Sequence, residues 1–356
     1  MTTIPPGSTI GILGGGQLGR MIAIAAAQLG YRTHIYAPES SGPAADVSPR
    51  WTQGAYEDAA ALAAFADSVD VVTYEFENID PSAVEVLATH GLVRPGAQAL
   101  RVAQDRLAEK RFVCDLGGLT APFAPVESLD DLQEALDRIG SRAILKTNRM
   151  GYDGKGQARL SDPGDAVGAW NAIGRQSAIL EGFVTFAQEF SVILARGADG
   201  QIRFWDSAAN VHTDGILDTS TVPAGSLIES QLPEARALAA KVADALDYVG
   251  VLTLEFFASA DGPVFNEMAP RVHNSGHWTI EGALTSQFEN HVRAICGLPL
   301  GDTGLAAAKV EMRNLIGEQA NDWLQILSDP ANHLHLYGKH EARPGRKMGH
   351  VTRLTL

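Results

Sequence analysis

The chain has 356 residues, a length that suits two or three domains sharing a cleft better than one ordinary domain. Hydrophobic residues make up 45% and charged residues 20%, a composition typical of a globular protein, which excludes a disordered chain. With 28 Lys and Arg against 42 Asp and Glu, the formal net charge is −14, so we expect no nucleic-acid partner. Without a segment of roughly 20 apolar residues or a signal peptide, we expect no membrane partner and a cytoplasmic location.

Strand and helix patterns alternate over the first hundred residues. The predicted strands lie at 9–13, 33–37 and 70–75, and the predicted helices lie at 17–29 and 57–66 and from Pro81 onward. Such a βαβ series predicts a parallel sheet. A linker at 93–97 and one amphipathic helix at 100–116 are predicted to follow, and Cys114 and Cys296 are both predicted to lie in the core.

The pattern changes after about residue 122. Short predicted strands at 143–146, 157–160 and 178–181, with a helix near 165–173, indicate a small α+β subdomain. Longer strands beyond residue 188 indicate a mixed or antiparallel sheet. We therefore predict a multidomain protein of α/β and α+β class, with a Rossmann-like parallel-sheet domain at 1–105, a linker helix and small subdomain at 106–185, and a main domain at 186–356.

The first glycine motif, Gly14–Gly19, matches G-x-G-x-x-G between a strand and a helix. A dinucleotide-binding domain would also carry an acidic residue at the end of the second strand, and here Glu39 comes only after Pro38. A phosphate-bearing ligand or simple packing of the helix on the sheet is therefore favoured over NAD.

A second glycine-rich loop, Gly151–Gln157, follows the strand that delivers Lys146. Flexible backbone with lysine and a carboxylate suits a loop that covers a polyphosphate, and the alternative is a charged hairpin turn. Farther along, Glu181-Gly182-Phe183-Val184 ends a strand and Glu189 lies just beyond it. These residues could pair with an adenine edge and a ribose, or form only an edge-strand turn.

Two apolar strands joined by the turn at 261–263 each carry one carboxylate, Glu255 and Glu267. A carboxylate inside a buried strand is unfavourable unless it is paired or bound to metal. Two of them near phosphate-binding cations fit Mg²⁺, which takes oxygen ligands and bridges nucleotide phosphates. The alternative is one buried salt bridge for each glutamate.

Two basic segments, 271–277 and 339–350, stand out in an acidic chain and indicate an anionic small substrate, although solubility at a tail would also explain the second. The turn at Pro344-Gly345 is expected to point Arg346 and Lys347 into one pocket. His212 stands alone in the sequence and by itself would be interpreted as structural.

Taken in order, five motifs resemble one family: GGGQLGRM (14–21), TYEFENI (73–79), GYDGKGQ (151–157), NEMAPRVHNSGHWT (266–279) and HLYGK…RPGRKMGHV (335–351). The chain resembles the 5-(carboxyamino)imidazole ribonucleotide synthases, ATP-grasp enzymes of purine biosynthesis. The resemblance implies an ATP-grasp fold and the carboxylation of 5-aminoimidazole ribonucleotide by ATP and bicarbonate through carboxyphosphate. Because that intermediate hydrolyses in water, a closing lid is expected, and the small subdomain could serve as one.

The resemblance also implies roles for individual residues. Those expected to bind ATP are Arg106, Lys146, Gly151, Tyr152, Asp153, Gly154, Lys155, Gly156, Gln157, Glu181, Gly182, Phe183, Val184, Glu189, His212, Asn266 and Glu267. Glu255 and Glu267 are expected to bind Mg²⁺. Those expected to contact the ribonucleotide are Gln17, Glu75, Tyr152, Asn274, Lys339, Arg346 and Lys347. Those expected to act at the carboxylating centre are Asp153, Arg271, His273 and Lys339.

Two positions depart from the pattern of the family. Asn148 stands where an arginine is more usual, and Ala269 stands where many ATP-grasp enzymes have an asparagine ligand. The alternatives to the predicted activity are a formate-dependent transformylase of the same superfamily, a nicotinamide oxidoreductase and a non-catalytic nucleotide-binding module. A homodimer is expected, with the helix faces of the first domain in contact.

Overall fold

The computed structural model describes residues 3–149, 151 and 156–356. Its first sheet is parallel in the described pairs and has the strand order β3-β2-β1-β4. The elements of this region are β1 (Thr9–Leu13), α1 (Gln17–Gln28), β2 (Arg32–Ala37), β3 (Arg50–Gln53), α2 (Ala59–Ala66), β4 (Val71–Tyr74) and α3 (Pro81–His90). The predicted parallel sheet is confirmed. Strand β3 escaped prediction because it is short and only partly buried.

The prediction of one helix over 100–116 is wrong. The structure has α4 (Ala97–Ala103) and α5 (Arg106–Asp115), separated at Gln104 and Asp105. The Asp105 carboxylate accepts a hydrogen bond from the Ala108 N–H at 2.9 Å and so begins a new helix. Cys114, on α5, is exposed rather than in the core, whereas Cys296 is buried as predicted.

A small antiparallel sheet follows, with the strand order β5-β8-β6-β7. Its elements are β5 (Phe123–Val126), α6 (Leu129–Ile139), β6 (Ala143–Thr147), β7 (Gln157–Leu160), a 3₁₀ turn (Pro163–Asp165), α7 (Ala166–Ala172) and β8 (Ala178–Gly182). Leu136, Leu145 and Trp170 belong to an apolar core that this unit does not share with the rest of the chain. A unit with a core of its own can move as one body, and we call it the lid.

The large sheet is antiparallel in its described pairs and has the order β14-β13-β9-β11-β12-β15-β17-β16, with β10 on β9. Its first elements are β9 (Gln188–Arg196), β10 (Ile202–Phe204), β11 (Ala208–Thr213), β12 (Ile216–Val222), α8 (Ser226–Ala245), β13 (Gly250–Ser259) and β14 (Gly262–Ala269). The remaining elements are a 3₁₀ turn (Asn274–Gly276), α9 (Thr279–Gly282), α10 (Gln287–Ile295), β15 (Lys309–Ile316), a 3₁₀ helix (Gly317–Asp322), α11 (Trp323–Leu327), β16 (Asn332–Leu336) and β17 (Lys347–Thr355). Across the described ranges, no helix is long and apolar enough to cross a membrane.

One apolar core joins the first sheet to the large one. Helix α1 packs against α10, and the same core contains Ile12 and Ile22 from the first region with Trp278 and Phe288 from the last. This packing brings the carboxyl ends of β1 and β4 to the hairpin formed by β13 and β14. In an open parallel sheet that edge is where ligands bind.

Candidate active site

Backbone N–H groups of the first glycine motif donate hydrogen bonds to a carboxyl group of the chain itself. Glu75 follows β4, next to the end of β1, and accepts hydrogen bonds from the Gly16 N–H and, at 2.6 Å, from the Gly19 N–H. A Cβ at Gly16 would come within 2.5 Å of that carboxylate. The Gly16 and Gly19 N–H groups at the amino end of α1 are therefore already used by a carboxyl group of the chain, so a phosphate-bearing ligand beside this motif would be bound by other groups.

Three connected cavities lie between the first sheet, the lid and the large sheet. The central cavity, of about 430 Å³, is lined by residues that include Gln17, Glu75, Glu77, Arg271 and Asn274. The nucleotide cavity, of about 760 Å³, is lined by residues that include Lys146, Gln157, Phe183, Glu189, His212 and Asn266. Arg106, Glu255, Glu267, His273, Asn274 and Lys347 line both. The third, which we call the first-domain pocket, lies beside Gly14–Gly16 and contains Lys339 and Arg346.

The two predicted metal carboxylates are direct partners across the β13–β14 hairpin, Glu255 opposite Glu267. Burial raises the pKa of Glu255, and the neighbouring Glu267 raises it further. His273 lies with its Nε2 3.3 Å from Glu255 Oε1. In the described part of the chain, no three His, Cys, Asp or Glu side chains are grouped to hold a metal. The pair thus offers hard oxygen donors whose mutual repulsion is only partly offset by Arg106 at Glu267. A cation whose other ligands come from the substrate would relieve it.

Arg106 connects the hairpin to the second glycine loop. It is the first residue of α5, and its guanidinium donates to Glu267 Oε2 at 3.2 Å and to the Gly151 carbonyl at 3.2 Å. Its backbone N–H donates to the carbonyl of Asn148. Arg106 therefore lies between the predicted metal carboxylates and the loop predicted to cover a polyphosphate.

Lys146 lies on the lid and donates to Glu181 Oε2 at 3.0 Å. Burial raises the pKa of Glu181, but the ammonium groups of Lys146 and Lys110 outweigh burial and lower that pKa to about 2. Lys110 was not predicted from the sequence, because a lysine within a charged helix resembles a solvent-facing residue.

The segment predicted to hold the adenosine is only partly open to a ligand. The N–H groups of Gly182 and Phe183 donate to the carbonyls of Pro122 and Arg142, so they are used within the lid. Phe183 is exposed and lines the nucleotide cavity, and Val184 is half-buried. The Gly156 carbonyl accepts from the Thr147 N–H. Of the predicted loop residues, Tyr152, Asp153, Gly154 and Lys155 lie outside the described residues.

Glu189 and His212 form a pair across β9 and β11, with His212 Nδ1 2.9 Å from Glu189 Oε2. Burial lowers the pKa of His212, but the close contact with the Glu189 carboxylate and the charge of Glu255 outweigh burial, so the pKa is raised. The interpretation of His212 as a purely structural residue is therefore incomplete, since its side chain lines the nucleotide cavity beside a carboxylate.

Arg271 is held by a glutamate that sequence reasoning missed. Its Nε donates to the carboxylate of Glu77, which follows β4 two residues after Glu75. Asn274 forms two reciprocal amide hydrogen bonds with Asn314, at 2.9 and 2.8 Å. A signal for Glu77 was present, because TYEFENI places two glutamates where β4 ends. Asn314, on a strand forty residues away, gave no such signal.

The C-terminal basic segment is divided between cavities, which corrects the expectation that Arg346 and Lys347 share one pocket. Arg346 lines the first-domain pocket and donates to the Glu341 carbonyl at 3.0 Å. Lys347 begins β17 and lines the central and nucleotide cavities. Successive residues entering a strand point to opposite faces, which separates the two side chains. Lys339 Nζ donates to the Lys347 carbonyl at 2.6 Å and thereby joins the two parts.

Asn148, the first departure from the family pattern, is buried and donates from Nδ2 to Ser177 Oγ at 3.1 Å. It also lines the central cavity. Its side chain thus fixes the start of the second glycine loop to the lid, and it supplies no charge where the family more often has an arginine.

The sequence matches three families along its length. Residues 7–104 match the ribonucleotide synthetase preATP-grasp domain, residues 111–288 match the ATP-grasp domain, and residues 311–355 match the phosphoribosylaminoimidazole carboxylase C-terminal domain. Among curated proteins, the chain is 52% identical to an N5-carboxyaminoimidazole ribonucleotide synthase of Brucella melitensis, over 99% of this chain and 98% of that protein.

Solved structures give the same result. The N5-carboxyaminoimidazole synthetase of Staphylococcus aureus, complexed with ADP, superposes with a TM-score of 0.95 at 35% identity and covers 100% of this chain and 95% of that one. The N5-carboxyaminoimidazole synthase of Aspergillus clavatus, in complex with ADP and 5-aminoimidazole ribonucleotide, gives a TM-score of 0.91 at 30% identity, covering 98% and 94%. The predicted fold, a parallel-sheet domain followed by an ATP-grasp unit, is confirmed.

Proposed function

The chain belongs to the N5-carboxyaminoimidazole ribonucleotide synthases, and from this membership and its cavities we propose that it carboxylates 5-aminoimidazole ribonucleotide with ATP and bicarbonate in purine biosynthesis. The observation that carries the proposal is the wall shared by the central and nucleotide cavities. Arg106, Glu267 and Lys347 are among the residues that line both. A nucleotide in one cavity would therefore present its terminal phosphate to a small anion in the other.

The reaction joins two anions, so the shared wall must lower their repulsion. Bicarbonate is a poor electrophile; its oxygen attacks the terminal phosphorus of ATP, ADP leaves, and carboxyphosphate forms. Carboxyphosphate then breaks down to phosphate and CO₂ beside the ribonucleotide. The amine of the ribonucleotide attacks the carbon of CO₂, forms the new C–N bond and loses a proton. Arg106, Arg271 and Lys347 supply fixed positive charge where negative charge accumulates.

Glu255 and Glu267 would hold Mg²⁺, which supplies charge neutralisation at the phosphates when bound. The side chains fit this ion because both are carboxylates and face each other across the hairpin, where the charge of Glu267 raises the pKa of Glu255. ATP itself would lie between the lid and the large sheet, with Lys146 on its phosphates and with Glu189 and His212 near the ribose.

His273 is proposed to work as a neutral group. Burial lowers its pKa well below the ordinary value, and the charge of Arg271 lowers it further. Its Nδ1 is 2.8 Å from Ser275 Oγ, which fixes the ring. Because Nδ1 accepts from the Ser275 N–H at 3.3 Å, the neutral imidazole carries its proton on Nε2 and can donate a hydrogen bond to an oxyanion at the shared wall. Asp153, which the resemblance also assigns to the carboxylating centre, is proposed to supply a carboxyl group there.

The ribonucleotide is proposed to span the central cavity and the first-domain pocket, which share Gly16 and Glu75. Gln17 and Asn274 line the first, and Lys339 and Arg346 line the second. We also propose the division into 1–105, 106–185 and 186–356, a cytoplasmic location, and a homodimer through exposed helix faces of the first domain. Sedimentation of a monomer would contradict the dimer.

The test is the release of phosphate from ATP, measured with and without bicarbonate and the aminoimidazole ribonucleotide. We expect rapid release only when both are present, with one carboxylated product for each phosphate. Formate in place of bicarbonate separates this activity from a transformylase. Turnover with formate, or a failure of bicarbonate to increase phosphate release, would overturn the proposal.

A further inference from the structure

A buried lysine outside the predicted site connects the lid to the main body. Lys110 lies on α5, which packs against β14 of the large sheet, and its side chain is 1% exposed. Its ammonium donates to the Asn266 carbonyl at 2.7 Å and to the Phe265 carbonyl at 3.3 Å. The same ammonium lies 3.6 Å from Glu181 Oε2, on strand β8 of the lid. Lys110 thus holds both sides of the nucleotide cavity without lining it.

Glu181 is shared by two lysines. Lys146 and Lys110 both approach Oε2, at 3.0 and 3.6 Å, and the glutamate side chain is only 6% exposed. The two lysines differ in access, because Lys146 lines the nucleotide cavity and Lys110 is enclosed. Of these two lysines, only Lys146 is therefore able to contact a phosphate in the nucleotide cavity.

A phosphate that recruits Lys146 draws it away from a carboxylate that water does not reach. Leaving a buried carboxylate without a counter-ion is strongly unfavourable, so Glu181 alone would retain Lys146. A second cation that does not line the nucleotide cavity removes this conflict. The hydrogen bonds to Asn266 and Phe265 keep the Lys110 ammonium in place whether or not Lys146 moves.

Resting on the function proposed above, we propose that Lys110 is a positioning residue for the nucleotide: it is the fixed counter-ion of Glu181 and leaves Lys146 available for the ATP phosphates. The residue acts through Glu181 and Lys146 and does not itself touch the substrate. Its contact with Asn266 also fixes the strand that carries Glu267.

The first test is Lys110→Met, which keeps the length of the side chain and removes its charge. The dissociation constant of a non-hydrolysable ATP analogue, measured by calorimetry, should rise about ten- to hundredfold, the size expected when one charge-assisted contact is weakened. The KM for the ribonucleotide should change little. Lys110→Arg should recover part of the loss. Unchanged analogue binding by a folded Lys110→Met variant would overturn the proposal.

A second comparison keeps the test decisive even if Lys110→Met alone does not fold. Once Glu181 is neutral, Lys110 should no longer matter for nucleotide affinity, so Glu181→Gln and the double variant Lys110→Met/Glu181→Gln should bind the analogue equally. Tenfold weaker binding by the double variant would show that Lys110 acts through another route. The binding readout is independent of carboxylation, so failure of the proposed function would leave it intact.

The matched control is Arg94→Met. Arg94 is half-buried, donates to the Ile295 carbonyl at 2.9 Å and is absent from the lining of the cavities described above. Its replacement removes a cation bound to a backbone carbonyl, as Lys110→Met does. We expect a lower melting temperature with unchanged analogue binding. If both variants weakened binding equally, the effect of Lys110 would be one of general stability.

Discussion

The separation of Arg346 from Lys347 predicts different kinetic effects for two neighbouring cations. Arg346 lines only the first-domain pocket, whereas Lys347 lines the cavities proposed for both substrates. Arg346→Ala should therefore raise the KM for the aminoimidazole ribonucleotide and leave the KM for ATP nearly unchanged. Lys347→Ala should raise both. Lys146→Ala should raise the KM for ATP alone, because Lys146 lines only the nucleotide cavity.

The magnitude follows from the contacts. A hydrogen bond to a charged group contributes about 1.5–3 kcal/mol, and each 1.4 kcal/mol is a factor of ten in affinity. Arg346 is half-buried and already donates to the Glu341 carbonyl, so part of its hydrogen-bonding capacity is used. We expect the lower end for Arg346→Ala, about a tenfold rise in KM.

The assay is a pair of substrate titrations, each with the other substrates saturating, on variants whose folding is checked by thermal melts. Arg343→Ala is the matched control, because Arg343 is exposed, pairs with Glu341 in the same loop and is absent from the lining of the described cavities. It should leave both KM values unchanged. If Arg346→Ala raised the KM for ATP and spared the ribonucleotide, the placement of the substrate phosphate would be refuted. If Arg343→Ala raised the KM for the ribonucleotide as much as Arg346→Ala does, the effect of Arg346 would be explained by long-range electrostatics alone.

Three further predictions concern the carboxylates and the buried histidines. Glu255→Gln and Glu267→Gln should fold, since glutamine keeps the shape, but should need more Mg²⁺ for half-maximal turnover; near-normal turnover at limiting Mg²⁺ would make both residues structural. Glu77→Gln should lower kcat about ten- to hundredfold with nucleotide affinity unchanged, because it frees the guanidinium at the central cavity; full turnover would exclude this role. Burial lowers the pKa of His277 to about 3 and of His291 to about 4, so each stabilises the fold above pH 6.5. Between pH 6.5 and pH 5, each histidine should lower the free energy of unfolding by about 1.4 kcal/mol per pH unit. Other buried groups titrate in the same range, so the test compares urea titrations of the parent and of His291→Gln at pH 7 and pH 5; an equal loss of stability in both proteins would contradict this.

Local patterns were enough to predict most strands and the parallel first sheet. Strand β1 and strand β7 have the predicted bounds, Thr9–Leu13 and Gln157–Leu160. Strands β11 and β12 could not be predicted, because they are polar and only partly buried. Their stability comes from neighbours across the sheet. The break between α4 and α5 did have a local signal, since Asp105 is a good N-cap residue.

The candidate site was predicted less completely, for a physical reason. A motif shows which side chains carry charge, but the partner of a charge is set by tertiary packing. Lys110 finds the Asn266 carbonyl 156 residues away, and Arg271 finds Glu77 194 residues away. No periodicity or spacing encodes such pairs. The same limit explains why Glu75 was interpreted as a substrate contact when its carboxylate also closes the amino end of α1.

The pairing of the cations changes how any substitution in this site should be interpreted. Three cations proposed to bind substrate anions are paired with carboxylates in the ligand-free chain: Arg106 with Glu267, Lys146 with Glu181 and Arg271 with Glu77. When a phosphate or bicarbonate enters, the cation therefore exchanges one anionic partner for another. The net gain in binding free energy is smaller than it would be for a cation without a partner. Removing Arg106 or Arg271 takes the paired cation from its carboxylate, so the measured loss includes that penalty, whereas Glu181 keeps Lys110 when Lys146 is removed. Removing the carboxylate together with the cation separates the two contributions, because only the double variant lacks both the contact and the stranded charge.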